Sequence, residues 1–141
     1  MTSSSDPIDH LRLVLPSDYD SLDRIVDESD AFMAAHSTDD EFNHRVVLLT
    51  SEAATNAIEH GNRLEQDKTI ELDLAVYPDR VDVIVLDQGS GFDRSTVADP
   101  LEEGNLLSDG GRGLFLIESL ADEVHFEMDG RRIRMTLRRP G

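Results

Sequence analysis

Glu52, Asn56 and His60 follow one another at four-residue intervals in the run Ser51-Glu-Ala-Ala-Thr-Asn-Ala-Ile-Glu-His-Gly-Asn62. On a helix that interval sets side chains on one face in successive turns. A carboxylate and a carboxamide placed in this way divide labour. Asn56 offers a neutral oxygen to a hard Mg²⁺ already loaded with phosphate oxygens, and Glu52 takes a proton from a nucleophile. In-line phosphoryl transfer requires that combination of positioning, charge neutralisation and a proton acceptor. Taken alone, the spacing fits a solvated helix face as well, where such pairs are common.

Two further segments stand in sequence order behind the first. Asp87 ends the apolar run Val81-Asp-Val-Ile-Val-Leu86, which places a carboxylate at the mouth of a buried strand, a costly position unless a partner meets it. A carboxylate accepts from the exocyclic amine of adenine, and Gly89 and Gly91 let backbone approach a flat ring where a Cβ would collide. The alternative is an ordinary Asp-x-Gly turn. A calcium loop starting at Asp87 is excluded, because its twelfth position is Ala98 where a bidentate Glu is required. Gly110-Gly111-Arg112-Gly113 then opens a helix, whose free N–H groups and positive dipole end attract phosphate. It lacks the Gly-Lys-Ser/Thr of a P-loop and the pattern of a dinucleotide fingerprint. Arg112 reads equally as a phosphate contact and as a surface arginine. His10, His36, His44 and His125 are scattered without metal-ligand spacing.

The elements that must position these residues are legible in outline. His10 to Leu15 alternates as a strand stopped by Pro16, and Ser17-Asp18 supplies cap chemistry for a helix to about Ala35 with Leu22, Ile25, Val26, Phe32 and Met33 on its apolar side. Thr38-Asp-Asp-Glu41 has capping-box form and begins a second helix. Its core stripe is Phe42, Val46, Leu49, Ala53 and Ala57, widened by Leu48 and Ile58, and Gly61 ends it. Thr69 to Tyr77 and Arg80 to Leu86 form a hairpin about Pro78-Asp79. From Gln88 to Asp109 the apolar pattern breaks, and about residues 94–109 read as a lid. A third helix from Gly110 (Leu114, Ile117, Leu120) precedes strands Glu123 to Met128 and Arg132 to Leu137, which turn at Asp129-Gly130. The order predicts a two-layer α/β sandwich, helices over one face of a mixed sheet, in a single domain over 9–141 behind a flexible N-terminus, 1–8.

Composition narrows the classes of function. The 141 residues suffice for one core and not for two. Thirty acidic against 13 basic residues give a net charge of −17, which argues against nucleic-acid binding through a basic face and favours a protein partner. Five of the basic residues, Arg131, Arg132, Arg134, Arg138 and Arg139, lie in the last eleven positions, read as a solvated strand edge kept unpaired by charge. Cysteine is absent, removing disulfides, thiolate nucleophiles and thiolate metal sites. No apolar run approaches the roughly 18 residues of a membrane span, and the first residues lack signal-peptide character, so a cytoplasmic location with no membrane contact is the expectation.

In combination the three segments resemble the N, G1 and G2 boxes of the GHKL ATPase superfamily. More narrowly, the run 51–62, Asp87-Gln-Gly-Ser-Gly-Phe-Asp93 and Gly111-Arg-Gly-Leu-Phe-Leu-Ile117 resemble the small anti-sigma-factor serine/threonine kinases of bacteria, over nearly the whole chain. The resemblance implies a Bergerat fold, a homodimer, and ATP/ADP and Mg²⁺ as ligands. It also implies a sigma factor held by the protein and a small STAS-type antagonist phosphorylated on serine or threonine. By matching position, Glu52 would be the general base, Asn56 the Mg²⁺ ligand and Asp87 the adenine reader. Gly89 and Gly91 would lie against the base, and Gly111, Arg112 and Gly113 would hold the phosphates under the lid. The chain departs from the family after Gly130, where Arg131-Arg132 replaces a frequent Thr that helps read adenine; one lost hydroxyl contact would cost about 0.5–1.5 kcal/mol. The competing reading is a regulatory module, nucleotide-binding or nucleotide-free, that sequesters a partner and phosphorylates nothing. Retention of Glu52 favours the enzyme, since a pure binder has no need of a base.

Overall fold

A computed structural model describes residues 6–61, 67–88, 109–128 and 131–140. Five strands form one sheet in the order β1-β2-β3-β5-β4, with β1 at Asp9–Pro16, β2 at Thr69–Val76, β3 at Arg80–Asp87, β4 at Glu123–Glu127 and β5 at Arg132–Arg138. Helices α1 (Tyr19–His36), α2 (Asp40–Asn56) and α3 (Asp109–Leu120) complete the two layers. All four strand pairings are antiparallel, so the expected mixed sheet is corrected to an antiparallel one. The α3–β4 segment returns the chain beside β5, which lets β5 pair with β3 on its other side.

Strict alternation sorts the two faces of the sheet. Ile70, Leu72, Leu74 and Val76 on β2 and Val81, Val83 and Val85 on β3 are buried, and they join Leu13, Leu15, Ile133, Met135 and Leu137 in one core under the helices. Each such side chain contributes about 1.5–3 kcal/mol on burial. The basic C-terminal cluster is not on an edge, contrary to the sequence reading. β5 lies between β3 and β4, and Arg132, Arg134 and Arg138 stand on the open face, where they meet Glu127, Glu127 and Glu123 of the true edge strand β4.

Helix starts follow from local chemistry. Asp18 caps α1, its carboxylate accepting from the Ser21 N–H at 3.0 Å. Asp39, one residue beyond the expected Thr38, caps α2 by accepting from the Phe42 N–H at 3.0 Å, while the Ser37 hydroxyl accepts from the Asp39 N–H. An ionised carboxylate beside the positive helix end outcompetes the neutral hydroxyl of Thr38. The buried stripe of α1 runs Ser21, Ile25, Ser29, Met33, with Leu22 and Phe32 packed at its margin.

Candidate active site

The site begins on α2. Phe42, Val46, Leu49 and Ala53 are buried and fix the helix against the core, together with Ala54. Glu52 and Asn56, one turn apart, are half-buried beside that stripe. Two neighbouring hydroxyls are already satisfied within the helix: Thr50 Oγ1 donates to the Val46 carbonyl and Thr55 Oγ1 to the Ser51 carbonyl, each at 2.8 Å. Asn56 differs. Its Nδ2 is buried and has no hydrogen-bond partner among the described residues. An unsatisfied buried amide group costs about 1–3 kcal/mol, so a native residue that keeps one has a partner to gain.

Directly after Asn56 the α-helix gives way to a π turn, Ala57–Gly61. The Ala57 N–H is shared between the Ala53 and Ala54 carbonyls where the α ladder ends. A π turn takes one residue more per hydrogen bond than an α turn and occurs often at functional sites. The four-residue relation therefore holds from Glu52 to Asn56 and is interrupted by the backbone before His60. Gly61 closes this turn instead of standing one residue beyond a regular helix end.

The π turn packs against β3, and β3 ends in Asp87. Asp87 is only 5% exposed and lies on the helix-facing side of the sheet, in register with Ile70. Its backbone N–H donates to the Arg131 carbonyl at 2.9 Å, tying the end of β3 to the entry of β5. On the other side, the Thr69 N–H donates to Gln88 Oε1 at 2.8 Å. The strand end is thus held from both neighbours. α3 packs on α2 and β4, anchored by fully buried Ile117, and Gly111, Arg112 and Gly113 lie in its opening turns. Gly89, Gly91 and the expected lid up to residue 108 lie outside the described residues.

This arrangement suits a magnesium nucleotide. A half-rotation of the Asn56 carboxamide exchanges Nδ2 and Oδ1 at the same buried point, so the residue can donate to a phosphate oxygen or ligate a hard cation. Among the described residues no three His, Cys, Asp or Glu side chains gather as a metal cage. An Mg²⁺ that arrives with phosphate ligands needs only one or two protein oxygens, and Asn56 with Glu52 nearby matches that demand.

The sequence did not disclose two contacts. Tyr19 Oη donates to Glu59 Oε2 at 2.6 Å, joining the start of α1 to the π turn. Arg131 stands across from Asp87. Neither follows from spacing, because each joins residues 40 or more positions apart.

The model of the histidine kinase-like ATPase domain family matches residues 15–137. The serine-protein kinase RsbW of Staphylococcus epidermidis is 35% identical over 131 residues, 88% of this chain and 80% of that protein. RsbW of Listeria monocytogenes serovar 1/2a is 33% identical over 129 residues, covering 86% and 81%, and RsbW of Bacillus licheniformis 31% over 129 residues, covering 86% and 79%. The chain belongs to the histidine kinase-like ATPase family, on the branch that holds these RsbW serine-protein kinases.

Proposed function

We propose that the protein is an ATP-dependent serine/threonine protein kinase acting as an anti-sigma factor. In this reading a homodimer in the cytoplasm sequesters a sigma factor and releases it in a partner switch, phosphorylating a small STAS-type antagonist. The observation that carries the reading is the placement one turn apart on α2 of Glu52 and of Asn56, whose buried Nδ2 has no hydrogen-bond partner among the described residues. The name serine-protein kinase, borne by relatives covered over about four-fifths of their length, supports it.

Asp87 accepts from the exocyclic amine of adenine. Gly111, Arg112 and Gly113 hold the phosphates at the start of α3. Asn56 would hold Mg²⁺, which when bound would neutralise charge on the phosphates. Glu52 accepts the proton of the antagonist's hydroxyl as that oxygen bonds to the γ-phosphorus and the bond to the ADP oxygen breaks. Removing the base alone separates binding from chemistry. Glu52→Ala should bind Mg·ATP as the wild type does and lose phosphate transfer to the antagonist by at least about a hundredfold, the lower range for a general base. Transfer at the wild-type rate would remove Glu52 from the mechanism.

A further inference from the structure

The face of the sheet turned away from the helices carries a charge pattern of its own. Register sets Asp73, Ile84 and Arg134 in one row across β2, β3 and β5, and Glu71, Leu86 and Arg132 in the next. Along the strands, this face is therefore acidic on β2, apolar on β3 and basic on β5. Half-buried Ile84 and Leu86 floor a groove of about 220 Å³ that reaches Asp73 and is walled by Arg12, Glu71 and Arg132. Asp73 Oδ1 is closed off from solvent and has no hydrogen-bond partner among the described residues. A carboxylate oxygen taken out of water without a donor is costly, so it has a cation to gain. Arg134 approaches Glu127 Oε2 at 3.9 Å, beyond hydrogen-bond reach. Asp73 and Arg134 cannot satisfy each other within one chain, because two strand spacings, about 10 Å, and the Ile84 side chain separate them.

We propose that this open face is the contact between two copies of the chain, packed sheet on sheet about a two-fold axis that runs along β3. That operation lays Ile84 and Leu86 of one copy on the same residues of the second, and sets Asp73 opposite Arg134 and Glu71 opposite Arg132 on both sides of the axis. Asp82, also on the β3 column, accepts from Thr136 Oγ1 at 2.9 Å and lies 3.5 Å from Arg80 Nε, so its charge is already met near the axis. A partner of a single charge sign would match one column and oppose the other, whereas a second copy matches both. Five strands at about 4.8 Å spacing present roughly 500 Å², so the pair removes about 1,000 Å² from water, where specific interfaces begin. The inference deepens the homodimer of the reading above and rests on that part of it alone.

The test is sedimentation equilibrium of the full chain as wild type, as Asp73→Arg, as Arg134→Asp and as an equimolar mixture of the two variants, with thermal melting to show that each is folded. The wild type should sediment at twice the 15.7 kDa mass of the chain. Each reversal sets like charges opposite each other on both sides of the axis and should weaken self-association at least about a hundredfold. In the mixture each variant supplies the charge that the other lacks, so a dimer of one Asp73→Arg chain and one Arg134→Asp chain should form with near wild-type affinity. Damage confined to either variant's own fold could not be rescued in this way. Where a reversal does not fold, the neutral variants Asp73→Asn and Arg134→Gln keep the shape and should each weaken the dimer about tenfold; unchanged affinity there would overturn the proposal. A wild-type dimer that both reversals leave intact would overturn it and leave the homodimer to another face, as would two monomeric variants that fail to pair in the mixture. A wild type that stays monomeric would remove the homodimer together with this contact, while Mg·ADP binding would still report separately on the nucleotide site.

Discussion

The hydroxyl of Tyr19 donates to the carboxylate of Glu59 at 2.6 Å, so the first turn of α1 is fastened to the π turn that follows Asn56. Tyr19 is 51% exposed, and water competes for the bond, which places its net contribution at about 0.5–1.5 kcal/mol. Tyr19→Phe should lower the melting temperature by about 2–4 °C, as expected for a chain near this size. The same variant should weaken Mg·ADP binding, because the turn beside Asn56 loses an anchor. An unchanged melting curve would show that core packing alone holds the π turn.

On the open face of the sheet, Thr136 Oγ1 donates to Asp82 Oδ1 at 2.9 Å, and Asp82 is only 7% exposed. Thr136→Val leaves that carboxylate with less hydrogen bonding and should destabilise the protein by about 1–3 kcal/mol in urea unfolding. Nucleotide affinity should be unaffected, since Asp87 lies on the other face of β3. A loss of affinity together with full stability would contradict this division of the two faces.

Leu49 is fully buried in the α2 stripe that carries Glu52 and Asn56. Leu49→Ala should cost about 2–5 kcal/mol through lost transfer energy and the cavity left behind. The midpoint of chemical unfolding reads it out. A cost under 1 kcal/mol would mean that α2 is not seated on the core as described.

The net charge of −17 predicts a salt dependence with a definite sign. Self-repulsion among 30 acidic residues destabilises the compact state, and raising ionic strength from about 0.01 M to about 1 M shortens the screening length from about 30 Å to about 3 Å. The melting temperature should rise over that range. A fall would show that the surface ion pairs of β4 and β5 outweigh the repulsion.

Much of this architecture is legible in the sequence because its signals are local. The alternation Ile70, Leu72, Leu74, Val76 marks β2 and its buried face, the Phe42-Val46-Leu49-Ala53 stripe marks α2, and a carboxylate after an apolar run marks Asp87 as exceptional. Strand order is not local. The arginines of β5 read as an edge device, yet their charges are met by Glu123 and Glu127 across the sheet, and no spacing within β5 reports that. The π turn is hidden for a related reason: nothing in the composition of Ala57 to Gly61 before its glycine separates it from an ordinary helix, and the turn sits where the chain packs on β3, a contact distant in sequence. Glu52 and Asn56 keep their predicted relation because the α-helix runs unbroken between them, whereas His60 falls beyond the interruption.

In the proposed site Asn56 couples magnesium to nucleotide. The decisive measurement is titration of Mg·ATP and Mg·ADP into wild type and Asn56→Ala, each repeated with EDTA. Wild-type binding that needs magnesium and falls at least about tenfold in Asn56→Ala, the loss of roughly 1.4 kcal/mol, is the predicted result. Equal binding by the two proteins, with or without the metal, would contradict it.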